Sequence, residues 1–152
     1  MTGATGPAGG SGPAEAITAY STPAQPVTDG GNLIFDRNAV RSGTAVSHAP
    51  GSAVLTAAKP GVYYVSFNGT LTPAAGADFP RYAVVYLLQD GNIAPGSGAE
   101  YVFRESGESE NLSFSLAVSV AVSSEFSVEV LGGNFIASSL ALTIVRLGAV
   151  SA

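Results

Sequence analysis

His48 is the only histidine in the 152-residue chain, and it sits in AVSHAPG beside a turn. A histidine general base needs a nucleophile and an orienting carboxylate brought to it. Serines are abundant, yet no Gly-x-Ser-x-Gly elbow is present, so His48 reads as a structural residue. A second group with chemical capacity is RESGESE, which gathers Glu105, Glu108 and Glu110 around Gly107. Hard divalent cations want several carboxylate oxygens on a flexible loop, which makes this the one candidate metal site. Its spacing matches no calcium-loop signature, and Arg104 offsets part of the charge, so a solvated loop is the stronger reading. Asp29, Asp36, Asp78 and Asp90 stand singly beside turns, where aspartate caps or bonds its own backbone. Cysteine is absent, which removes a thiol nucleophile, disulfides and cysteine zinc sites. No residue set asks for a cofactor, and the chain reads as non-catalytic.

Bulk composition narrows the partners. Six basic against eleven acidic residues give a net charge of −5, so there is no basic patch to meet a phosphate backbone. Hydrophobic residues make up 46% and charged residues only 11% of the chain. That is ample for a core and sparse for the surface of a monomer, which points to apolar surface covered by partner subunits. No uninterrupted apolar run is long enough to span a bilayer.

Periodicity supplies the elements that must position any site. Residues 113–122, SFSLAVSVAV, put Phe114, Leu116, Val118, Val120 and Val122 on one face and small Ser and Ala residues on the other. That small face suits either solvent or the close approach of another chain. Further strands are expected at 16–20, 33–35, 44–48, 53–57, 62–71, 82–89, 101–104, 126–131 and 140–147, with turns at KPG, DGN, SGE and GGN. No helical stripe with a cap occurs. Ten short strands without intervening helices predict an all-β sandwich or barrel. Two strands are apolar on both faces: YAVVYLLQ, with Tyr82, Val84, Tyr86 and Leu88 on one side, and LALTIVRL, with Leu140, Leu142 and Ile144. An antiparallel strand with one wet face should alternate, so these residues are the expected subunit interface.

The chain also carries GATGPAGGSGPA near its start, with glycine at 3, 6, 9 and 12 and proline at 7 and 13. Strict period three is what a collagen triple helix demands, because only glycine fits at its axis. A phosphate loop would need a flanking strand, helix and lysine, and a flexible linker has no reason to keep the period. Residues 1–14 therefore read as the end of a collagen-like repeat and 15–152 as one domain. Four triplets cannot hold a triple helix alone and are expected to be frayed. Two Asn-x-Ser/Thr triplets, at Asn68 and Asn111, fall in strands, where chance accounts for them.

A collagen-like repeat leading into an all-β head resembles the jelly rolls of the tumour-necrosis-factor and complement globular-head superfamily. Within it, the closest likeness is to the C-terminal domain of BclA-type collagen-like spore-surface glycoproteins. LIFD (33–36), AVLTAAKPGVYYVSFNGTL (53–71), VVYLLQDGNIAPGS (84–97) and the closing strand around 140–147 carry the likeness. The resemblance implies a ten-stranded antiparallel jelly roll that forms a homotrimer around a threefold axis and registers three chain ends. It implies a structural role at an extracellular surface, the exosporium of a bacterial spore or a cell envelope, among other surface proteins. It also implies Thr5 as an O-glycosylation site. A reading of a different class is a recognition module whose outer loops bind a receptor, glycan or matrix partner. For that reading DFPRY (78–82) offers Phe79 and Arg81.

Overall fold

The structure is a computed structural model and describes residue 3 and residues 14–150. The collagen-like repeat, Thr5 included, falls outside the described residues except for Gly3 and Ala14. Thirteen strands are present among those residues. They are β1 (Ala16–Ser21), β2 (Gln25–Val27), β3 (Gly31–Asn32), β4 (Arg37–Ser42), β5 (Val46–His48), β6 (Leu55–Ala57) and β7 (Gly61–Pro73). The remainder are β8 (Arg81–Gln89), β9 (Asn92–Ile93), β10 (Ala99–Phe103), β11 (Glu110–Val120), β12 (Ser124–Leu131) and β13 (Phe135–Gly148).

Every pairing is antiparallel, and the strands form two sheets. The first runs β11-β7-β13-β1-β4, with β2 alongside β13; the second runs β10-β8-β12-β6-β5, with β3 on β12 and β9 on β8. The all-β sandwich expected from period-two patterning is thus the observed architecture. No described helix is long and apolar enough to cross a membrane.

Each strand's alternation decides which side chains meet between the sheets. Along β7, Tyr63, Val65, Phe67 and Leu71 are buried while Tyr64 and Asn68 are exposed. Residues 113–120 behave as their pattern predicts, with Phe114, Val118 and Val120 inside and Ser113, Ser115, Ala117 and Ser119 outside. Phe103 of the second sheet joins the layers, lying 5.9 Å from Phe135 of the first, while Phe67 and Phe114, cross-strand partners within the first sheet, stack at 5.2 Å.

The strands beyond the ten expected are short or polar. β4 reads RNAVRS, is mostly exposed and pairs only with β1, so its backbone forms a ladder that its side chains do not announce. Residues 33–35 show the converse. Leu33 and Phe35 are fully buried as their alternation requires, but their backbone contributes only an isolated bridge from Phe35 to Ser52. At DGN, Asp90 and Gly91 both take positive φ, 52° and 81°, which closes the β8–β9 hairpin as such a dipeptide should.

One expected interface set lies elsewhere. Leu140, Leu142 and Ile144 have at most 1% of their surface exposed and belong to the core between the sheets. A side chain without free surface in one chain has none to bury against a second. The misassignment has a physical cause: β13 shifts register between Ser138 and Ala141, with Ser139 at φ 53°. After that shift the large residues point inward, and Ala141, Thr143 and Val145 take the outer face.

Packing at the β7–β13 pair is tight enough to test. A Cβ at Gly69 would stand 2.5 Å from Leu140 Cδ2 and 2.9 Å from Phe67 Cζ, inside the core. Gly69→Ala should therefore destabilise the domain by about 1–3 kcal/mol through overpacking. Urea unfolding with an unchanged m-value checks this, and a neutral substitution would show that Leu140 can retreat.

Candidate functional site

The sandwich presents two broad outer faces of different chemistry. On the first sheet, register aligns Ser115, Ser66, Thr143 and Thr18 in one row across β11, β7, β13 and β1. The adjoining rows are Ala117, Tyr64, Val145 and Ala16, then Ser113, Asn68, Ala141 and Tyr20. These rows contain no charged side chain. Thr18 and Thr143 bond to each other through their hydroxyls at 2.8 Å, and Tyr64 at the centre is 40% exposed.

The outer face of the second sheet holds the other apolar set. Tyr82, Val84, Tyr86 and Leu88 do share one outward face of β8, as alternation predicts, because Ala83, Val85 and Leu87 fill the core. Val84 and Leu88 are nevertheless buried by their own sheet neighbours, which leaves Tyr82 as the exposed member at 46%. Glu100 pairs with Val84 and Glu129 with Tyr86, so carboxylates stand beside these aromatics. Tyr82 donates its hydroxyl hydrogen to Glu100, an acceptor that holds the phenol above its ordinary pKa.

His48 is buried and sits between two oxygen acceptors. Its Nδ1 lies 2.6 Å from Asn38 Oδ1 and its Nε2 2.9 Å from the Ser52 carbonyl. Asn38 is oriented in turn by donating its amide to the His48 carbonyl at 3.0 Å. The ring ties the β4 edge to β5 and the following turn, and neither a serine hydroxyl nor a carboxylate is among its hydrogen-bond partners. That arrangement is structural, in line with the sequence reading.

The acidic loop is likewise organised by itself. Glu108 Oε1 accepts the backbone N–H groups of Arg104 at 2.7 Å and Glu105 at 3.0 Å, and its Oε2 accepts the Tyr101 hydroxyl at 2.8 Å. These donors, the Arg104 amide first, hold Glu108 below the usual carboxylate range. No group of three acidic or histidine side chains placed to hold a metal occurs among the described residues, so Glu105, Glu108 and Glu110 do not converge on a cation. The reason is that Glu108 spends both oxygens on closing its own loop. The scattered aspartates act similarly: Asp36 caps Thr22, Asp90 accepts the Glu125 amide, and Asp29 accepts that of Gly132.

Where residues 1–14 lead into the head, a charged cluster fastens the chain. Glu15 accepts Lys59 Nζ at 2.5 Å and faces Arg146 Nη1 at 3.6 Å, while Arg146 donates twice to the Pro60 carbonyl. The Lys59 hydrogen bond is the main cause holding the Glu15 carboxyl below its usual range. The clamp is not visible in sequence because its members lie far apart along the chain. The His48 bridge, although its members fall within 15 residues, depends on how β4 and the turn after β5 fold back on each other.

In the DFPRY segment the two candidate ligand residues part company. Phe79 is half-buried and packs against the core. Arg81 lines a cavity of about 190 Å3 together with the 74–77 turn, Gly133 and Asn134. A wider, shallower groove of about 500 Å3 runs beside β4, lined by Tyr20, Asp36, Arg37, Asn38, Arg41 and Pro50.

With this geometry in place, the chain can be compared with known proteins. No protein-family model matches it, and no curated protein matches it by sequence. Solved structures do match. Murine APRIL at pH 5.0 superposes with a TM-score of 0.69 at 10% identity, over 88% of this chain and 99% of that one. The globular domain of zebrafish complement 1qA gives 0.64 at 11% identity, over 90% and 99%. Eiger TNF from S. frugiperda gives 0.65 at 11%, over 92% and 96%. The fold is the jelly roll of the tumour-necrosis-factor and complement 1q globular heads.

Glu108 yields a prediction with a definite sign. Its lowered pKa means that its contribution to loop order is complete above the ordinary carboxylate value of about 4.3 and fades as pH falls through its lower folded value. Hydrogen exchange at the Arg104 and Glu105 amides should be protected at neutral pH. Glu108→Gln should speed both while leaving core amides unchanged, and equal protection in the variant would refute the capping role.

Proposed function

We propose that this chain is the trimerising head of a collagen-like surface filament, with assembly rather than turnover as its function. The observation that carries the reading is the uncharged part of the first sheet's outer face, over β11, β7, β13 and β1; charge returns at the edge strand β4, where Arg37 stands in register with Tyr20. The four neighbouring strands of the uncharged part present Ser, Thr, Ala, Val, Asn and Tyr, without one carboxylate or amine. Charge depletion marks the centre of a protein interface, where tyrosine is enriched, and Tyr64 stands exposed at the centre of this face.

Electrostatics distinguishes this face from the alternative. The Tyr82–Leu88 side of the second sheet carries Glu100, Glu125 and Glu129. Bringing three copies of that face together would gather like charges and cost stability on each approach. The serine and alanine face of β11, read from sequence as suited either to solvent or to a neighbour, is accordingly assigned to the neighbour. Three heads packed this way would hold their chain ends together, raising the effective concentration of the glycine triplets to about the millimolar range. The Glu15–Lys59–Arg146 clamp is placed to transmit that alignment, since it anchors the residue next to the repeat. A surface location on a spore or cell envelope, and Thr5 as a glycan carrier, belong to the same proposal and rest on the resemblance noted above.

Mass in solution tests the reading. Sedimentation equilibrium at micromolar concentration should give three times the 15.1 kDa of the chain, with little salt dependence for an uncharged interface. Thr143→Arg, at the centre of that face, should shift the mass to that of a monomer. Val102→Arg, on the outer face of the second sheet, should leave it trimeric. A monodisperse wild-type monomer would overturn the proposal, and the opposite response of the two variants would move the interface to the second sheet.

A further inference from the structure

The cavity floored by Arg81 is built in a way the trimer reading does not require. It lies between two turns: residues 74–77, after β7, and residues 132–134, before β13. Their backbones are bonded together, with the Ala74 N–H donating to the Asn134 carbonyl at 3.0 Å and the Ala77 N–H to the Ala74 carbonyl at 3.2 Å. Arg81 is held across the second turn, its Nη1 donating to the Gly132 carbonyl at 3.1 Å. Glycine is needed for that approach. At Gly132, φ is 116° and a Cβ would meet the Tyr82 carbonyl oxygen at 1.8 Å; at Gly133, φ is 144° and a Cβ would stand 2.8 Å from Arg81 Nη1.

The guanidinium so placed is undercompensated. No carboxylate lies within 4 Å of it among the described residues, where the ion pairs belong to Arg37, Lys59 and Arg146. Its Nε is buried without a hydrogen-bond partner. Taking a guanidinium partly out of water without a carboxylate partner is costly, and an oxyanion on its remaining Nη donors offsets that cost. In the groove beside β4 Arg37 already meets Asp36, and no described nitrogen of Arg37 or Arg41 is buried without a partner.

We propose that this cavity is a binding site for a small carboxylate, with Arg81 as its charge partner. Arginine matches a carboxylate with two parallel donors, and the glycine turns keep the walls free of side-chain bulk. The volume limits the ligand. About 190 Å3 equals roughly six liquid waters and is below the ~300–1,000 Å3 of pockets for drug-sized molecules. An acidic group of monosaccharide size fits, either as a free acid or as the terminal residue of a glycan. The site stands independently of the oligomer proposed above, since every residue in it comes from one chain.

Titration of the full chain with glucuronate, followed by amide NMR shifts, tests the site, with glucose as the uncharged control. Glucuronate should move the resonances of residues 74–77, 81 and 132–134 and saturate at millimolar concentration, and glucose should not. Arg81→Gln should weaken binding at least tenfold, about 1.4 kcal/mol, with Arg81→Lys intermediate. Ala75→Leu, which adds bulk at an exposed wall position and keeps the guanidinium, should weaken it too and covers the case in which Arg81→Gln does not fold. A glucuronate-terminated oligosaccharide binding more tightly than the free acid would identify the glycan source, and equal affinity the free acid. Unmoved resonances at about 10 mM, or identical shifts with glucose, would overturn the proposal. So would a loss of assembly mass in Arg81→Gln without any glucuronate effect in the wild type, since the guanidinium would then serve a neighbouring subunit.

Discussion

Period-two alternation along β7 is the constraint on which the other features depend. Burying Tyr63, Val65, Phe67 and Leu71 against the second sheet forces Tyr64, Ser66, Asn68 and Thr70 to the opposite side. Because β11 and β13 pair with β7 along almost its full length, the same division passes to them residue by residue. A single slip would exchange the two faces throughout. The bulge around Ser139 in β13 shows how the division is kept: one backbone irregularity restores inward Leu140, Leu142 and Ile144 after the paired segment at Phe135–Ala137.

The division has an electrostatic consequence. With few charges to place, the chain leaves the outer face of the first sheet neutral over β11, β7, β13 and β1, with Arg37 only at the β4 edge, and sets Glu100, Glu125 and Glu129 on the second. Opposite sides of one sandwich thereby differ in electrostatic character, the first largely neutral and the second acidic. Polar groups that are buried or half-buried find partners within the chain. His48 finds Asn38 and the Ser52 carbonyl, Glu108 finds two amides and a phenol, and the Tyr63 hydroxyl donates to the Lys59 carbonyl. Against that background the unmatched Nε of Arg81 stands out as a position where the protein alone is incomplete.

Much of this was legible in advance at the level of faces. The strand at 62–71, the serine stripe of 113–119 and the DGN hairpin follow from local pattern, since alternation and turn chemistry act over a few residues. The structural character of His48 followed from the missing serine elbow. What sequence reading missed shares one cause. β4 has no apolar alternation because an edge strand is held by backbone bonds, and the Glu15–Lys59–Arg146 clamp joins residues separated by up to 131 positions. Assigning Leu140, Leu142 and Ile144 to an interface was a failure of the same kind, because residues greasy on both faces do not say which side a bulge will turn inward.

By itself, then, the sequence determined the class of fold, the side of cleanly alternating strands such as β7 and β11 that meets the core, and the period-three character of its first residues. These are set by side-chain size, alternation and glycine placement, all of them local. Only the tertiary structure decided which part of the outer surface is neutral, which carboxylates are spent on backbone amides, and which guanidinium nitrogen is buried without a partner. Those outcomes depend on register between strands distant in the chain, and one residue of shift would change every one of them.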